Sequence, residues 1–137
     1  MNPTISYMAF STNKSCKEVL YNTNLWISDF DCFEIELLFL KSLTLLNVFK
    51  SNIPNLFERL QLIIKEIEQL RAENAVLNKK VKQYNNYVDS ILKKDVFKLS
   101  DDYLEKYHNL AKDVFLFTQK YKNFKLELYE FLTGIIL

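Results

Sequence analysis

Glycine is almost missing from this 137-residue chain, which has only Gly134, and proline occurs just twice, at Pro3 and Pro54. Tight turns that need positive φ must then be very few, which excludes most β architectures and favours a small number of long helices. The same scarcity removes glycine-rich phosphate loops of the nucleotide or dinucleotide kind. Cysteine is equally sparse, at Cys16 and Cys32. Two thiols are too few for a disulfide framework and suit a reducing compartment. With His108 as the sole histidine, a closed zinc site of four Cys and His ligands cannot be completed. A surplus of one charge is also lacking, because 18 basic side chains face 17 acidic ones. That balance gives no electrostatic reason for a nucleic-acid partner. The apolar stretch FEIELLFLKSLTLLNVF is interrupted by Glu34, Glu36 and Lys41, whereas a bilayer span takes about 20 predominantly apolar residues. No membrane partner is expected. The first residues show no basic region followed by an apolar run, so the expected location is cytoplasmic.

What the chain does have is apolar and aromatic mass. Its composition is 49% hydrophobic and 26% charged, with 11 Phe and 8 Tyr, which is the profile of one globular domain able to bury its own core. Residues 1–27 are mixed and polar with no sustained period, and read as a loose arm holding at most one short helix around Lys14 to Tyr21. The bundle proper is expected over 28–137. Its first helix is placed at about 29–50, with Ser28 as the cap and Asp29 and Asp31 at the positive end of the dipole. The apolar residues of that helix, among them Phe30, Phe33, Leu37, Leu38, Leu40, Leu45 and Leu46, spread over more than one stripe. Such a helix needs neighbours on several sides.

Pro54 closes a break and suits the first turn of a second helix, expected at about 54–94. There the apolar positions Leu56, Leu60, Ile63, Ile67, Leu70, Leu77, Val81, Tyr84, Val88 and Ile91 alternate four and three apart, with Asn74 in the one gap. Ser100 with Asp101 and Asp102 opens a third helix, expected at about 101–134. It repeats the rhythm through Tyr103, Tyr107, Leu110, Val114, Phe117, Tyr121, Phe124, Leu128, Phe131 and Ile135. Two heptad seams joined by a short turn near residues 95 to 99 are expected to face each other. The predicted fold is therefore all-α: an elongated antiparallel three-helix bundle, or helical hairpin with coiled-coil packing. The first helix should cover only the early half of the second.

The segment IEQLRAENAVLNKKV, Ile67 to Val81, resembles a leucine zipper in pattern, with Asn74 as candidate register residue. A parallel zipper dimer would pair Asn74 with its own copy. An intramolecular hairpin would instead set it opposite Phe117 to Phe124 and near the start of the first helix, close to Ser28 and Asp31. The residues before Ile67 carry no run of Arg and Lys, so DNA binding is not implied.

Glu105 and His108 have the Glu-x-x-His spacing of di-iron bundles, whose sites need two such motifs and two further glutamates, a second copy that only a homodimer could supply. Both residues also fall outside the third seam. The lysines Lys79, Lys80, Lys82, Lys93, Lys94 and Lys98 tilt the second half of the chain basic, and read as solvated helix surface rather than a nucleic-acid patch. The function expected is a non-catalytic structural or protein-interaction module without cofactor or metal, its partner a protein or a second copy in a homodimer; the alternatives are a helical-bundle metal protein or enzyme using Glu105 and His108, and a nucleic-acid accessory protein using the lysines from Lys79 to Lys98. Candidate contacts are the apolar residues outside the seams: Leu62, Ile64, Val76, Leu92, Phe115, Leu116, Leu126 and Leu132.

Overall fold

The computed structural model describes residues 15–46, 48–94 and 99–136. Within them the chain forms three helices, α1 (Cys16–Thr44), α2 (Leu56–Leu92) and α3 (Asp101–Ile135), and no strand. The all-α bundle expected from the scarcity of glycine is the fold observed. At 1.5 Å per residue α2 is about 56 Å long and α1 about 43 Å.

The start of α1 corrects the sequence reading. Ser15, not Ser28, is the cap, with extended backbone and a hydroxyl that accepts from the Glu18 amide at 3.2 Å. The hydroxyl also donates to the Glu18 carboxylate at 3.4 Å. Ser-x-x-Glu is the spacing of a capping box, and no glycine or proline between Cys16 and Ser28 stops the helix it opens. Residues 16–27, expected in a loose arm, are thus helical; residues 1–14 of that arm lie outside the described residues. The helix also ends earlier than expected, at Thr44 rather than near residue 50.

The Asn and Thr cluster that resembles loop composition forms a polar layer between helices instead. Asn22 donates to the Tyr107 hydroxyl at 2.8 Å, and Asn85 donates to Thr23 at 2.7 Å and to Asn24 at 3.1 Å. Thr23 satisfies its own hydroxyl by donating to the Val19 carbonyl at 2.9 Å, one turn back.

After α1 the chain crosses the end of the bundle. Phe49 is buried and bridges to Ile136, with the Lys50 amide donating to the Ile135 carbonyl at 2.8 Å. Asn55 takes the left-handed conformation (φ 54°) that lets the chain re-enter a helix, which asparagine tolerates better than most side chains. α2 therefore starts at Leu56, two residues past Pro54. Ser100 does cap α3 in backbone geometry, with the acidic Asp101 and Asp102 in the first turn, but its side chain makes no cap bond. The turn expected at 95 to 99 lies outside the described residues except for Leu99.

α1 runs antiparallel to α2 and parallel to α3. Lys41 meets Glu68, Glu34 meets Arg71 and Asp31 meets Asn78 along one side, while Phe30 and Phe33 meet Phe117 and Tyr121 on the other. Arg71 forks between Glu34 (2.7 Å) and Glu68 (3.1 Å), and the Lys41 ammonium hydrogen-bonded to Glu68 pulls that carboxyl below its usual range. The seams of α2 and α3 do not simply close on each other. The α2 backbone approaches α1 more closely than α3, and the Phe117 and Tyr121 rings of α3 pack on Phe30 and Phe33 of α1. α1 also covers far more of α2 than half, since its first turns, through Cys16 and Val19, pack with Tyr84, Val88 and Tyr107.

Candidate interaction surface

α1 has two apolar faces. Phe30, Leu37 and Leu40 point into the core and are buried. On the opposite side Tyr21, Leu25, Ser28, Cys32, Ile35, Phe39 and Ser42 are exposed, four and three residues apart, with Leu46 continuing the series just past the helix end. This second seam is large: Tyr21 is 67% exposed, Ile35 70% and Phe39 63%, and Leu38 and Leu45 widen it. Apolar surface on this scale, in a row along one helix, marks an interaction face more often than a solvated one. Sequence reading missed it for two reasons. Placing the helix start at Asp29 cut the seam in two, and Ser28, Cys32 and Ser42 lower its apolar average. The Ser15 capping box together with heptad spacing from Tyr21 was the signal that would have revealed it.

The residues singled out from sequence divide. Leu62, Val76, Leu116 and Leu126 are exposed. Val76 and Leu116 edge an open cleft between α2 and α3 floored by Leu77 and Phe117, and Leu62 lines a cleft nearer the Ile135 end of α3 with Phe124 and Phe131. Ile64 and Phe115 are half-buried. Leu92 packs against the second core cluster, and Leu132 is buried in the main core. These last two serve the fold, because α1 and the crossing segment occupy sides of the bundle that a two-helix seam would leave open.

Asn74 is 2% exposed, and its amide donates to the Phe30 carbonyl at 2.9 Å. It faces α1, as expected, yet not near a helix end: α1 starts fourteen residues before Phe30. Its Oδ1 is buried with no hydrogen-bond partner among the described residues. The neighbouring Asn78 amide donates to Asp31 at 3.1 Å.

The buried aromatic hydroxyls are spent on structure. Tyr121 donates to Glu36 at 2.9 Å beside Lys125, and Tyr84 donates to the Tyr103 carbonyl at 2.6 Å. Burial pushes the phenols of Tyr84, Tyr107 and Tyr121 above their ordinary range. Trp26 stacks on Tyr107 at 5.5 Å and joins the two core clusters.

Glu105 is exposed, and His108 is half-buried with its ring edge-on to Tyr107 at 5.7 Å. Among the described residues no three His, Cys, Asp or Glu side chains gather closely enough to hold a metal ion. Lys79, Lys80, Lys82, Lys93 and Lys94 are exposed, Lys93 pairing with Asp89 at 3.1 Å, and Lys98 lies outside the described residues. No described helix is long and apolar enough to cross a membrane. No family model, curated protein or solved structure matches the chain significantly.

Proposed function

We propose that this protein is a non-catalytic interaction module in which the α2–α3 frame holds α1 so that its outward seam pairs with a helix of another protein chain. The observation that carries the reading is the double-faced α1, one seam filled by the bundle and the other, Tyr21 to Leu46, exposed. A helix apolar on both sides is normally one that finds neighbours on both. Pairing through heptads with a partner helix is the mode that this spacing suits. A cytoplasmic setting accords with the exposed thiol of Cys32 on the seam, which reducing conditions keep free. Nucleic acid is not part of the reading, since the net charge is +1.

The test is affinity capture with the wild-type chain and with an Ile35→Gln/Phe39→Gln variant. Glutamine keeps helix propensity while removing apolar surface. Helix content should be unchanged, and a stoichiometric partner, a second copy included, should be lost, together with whatever part of the melting temperature that pairing contributes. Equal capture by both forms would refute the reading.

A further inference from the structure

We propose that the occupant of the α1 seam is a second copy of this chain, paired antiparallel so that residue i of one copy faces residue 67 minus i of the other. The inference rests on the interaction reading above and names the partner. In this register the seam is self-complementary in size: Cys32 meets Ile35 of the second copy, Ser28 meets Phe39, and Leu25 meets Ser42. Each small side chain receives a large one, and Tyr21 meets Leu46 at the ends. A parallel pairing would stack Ser28 on Ser28, Cys32 on Cys32 and Ser42 on Ser42, leaving underfilled layers between crowded Phe39 pairs. Close-packed interfaces disfavour such gaps.

The area is also sufficient. Tyr21, Leu25, Ile35, Leu38, Phe39, Leu45 and Leu46 are between 43% and 70% exposed. With aromatic side chains at ~150–250 Å² and leucine or isoleucine somewhat smaller, full coverage would bury on the order of 800 Å² per copy, the size of one side of a standard stable interface. Two-fold symmetry also makes the contact closed, so it ends at a dimer rather than growing into a filament. The flank that opposes the pairing is Asp29 against Glu36 of the second copy. Glu36 is already held by Lys125 at 3.4 Å and by the Tyr121 hydroxyl, which tempers the repulsion.

Mild oxidation of the full chain, with Cys32→Ser as background, tests the register. One form carries Leu25→Cys and another Ser42→Cys; Cys16 is fully buried and does not interfere. Cross-linked dimer is expected from the mixture of the two forms and not from either alone, and the solution mass of the wild type should be twice 16.3 kDa. A disulfide in the Leu25→Cys form alone would mean parallel pairing and overturn the proposal. A wild type still monomeric at the protein concentration of the oxidation mixture, or a mixture that does not link, would overturn it as well. If the wild type is monomeric while Ile35→Gln/Phe39→Gln still abolishes capture of another protein, self-pairing fails and the interaction reading stands.

Discussion

Replacing Asn74 by leucine should stabilise the fold. The side chain is 2% exposed and makes one hydrogen bond, from its amide to the Phe30 carbonyl at 2.9 Å. That carbonyl lies mid-helix, where the amide four residues on already provides a partner, so losing the bond forfeits about 1 kcal/mol. Against this stand two gains. The buried Oδ1 has no partner among the described residues, and removing an unsatisfied acceptor relieves about 1–3 kcal/mol. A buried leucine also adds about 1.5–2 kcal/mol of transfer free energy. Leucine is larger than asparagine, but Asn74 adjoins a space bounded by Asp31, Arg71, Ala72 and Ala75 that can take the extra volume; residual crowding subtracts about 1 kcal/mol. The net is a stabilisation of about 2 kcal/mol, or roughly 6–10 °C in Tm for a chain of this size. Thermal and urea melts followed by circular dichroism measure it, with solution mass unchanged because Asn74 does not lie on the exposed seam. A loss of stability would refute the argument and show that Asn74 is a required clamp between α1 and α2. A change of mass would show that it specifies self-association directly.

Phe117→Ala should cost about 3–5 kcal/mol, since this ring is 5% exposed and packs on Phe30 and Phe33 at 6.3 and 6.4 Å. His108→Ala should stay within about 1 kcal/mol, and equal effects in denaturant melts would mean that the facing of α3 is wrong. Leu132→Ala should cost about 2–5 kcal/mol by the same measurement, while Leu116→Gln, at an exposed cleft edge, should change stability little. The buried phenols of Tyr84, Tyr107 and Tyr121 give an alkaline limit. Their folded pKa values lie above the ordinary value of about 10, so the folded state holds protons that the unfolded chain releases. Stability should be intact below about pH 10 and fall as pH rises beyond it. The final part of the phenolate absorbance change should then coincide with the loss of helix signal; full ionisation with helix content intact would contradict the burial.

The parts of this fold legible in the sequence were those carried by repetition. Ten seam positions in α3 and the run from Leu56 to Ile91 in α2 point inward because heptad spacing leaves little freedom of facing. Both helix starts after the first were near the expected positions, since Pro54 and Asp101 act locally. The start of α1 was not legible by the same means, because Asn22, Thr23 and Asn24 are loop-formers by composition and become helical through bonds to Asn85 and Tyr107, residues far along the chain. Long-range polar partners leave no periodic trace. The candidate surface suffered from that one error, for a seam that begins at Tyr21 cannot be seen in a helix thought to begin at Asp29. The approach of α2 to α1 rather than α3 was also hidden, because seam spacing says which residues face inward and not which neighbour comes nearest.

The most direct measurement is solvent exposure of individual side chains by NMR with a soluble paramagnetic agent, in dilute and concentrated samples of the wild-type chain. In the dilute monomer the Ile35 methyls and the Phe39 ring should relax strongly, while Phe30, Leu37 and Leu40 on the opposite face of α1 should be protected. On concentration the Ile35 and Phe39 signals should become protected too, and the core signals should not change. Ile35 and Phe39 as shielded as Leu37 in the dilute monomer would contradict the exposed seam, since the chain itself would then cover the face on which the proposed pairing depends.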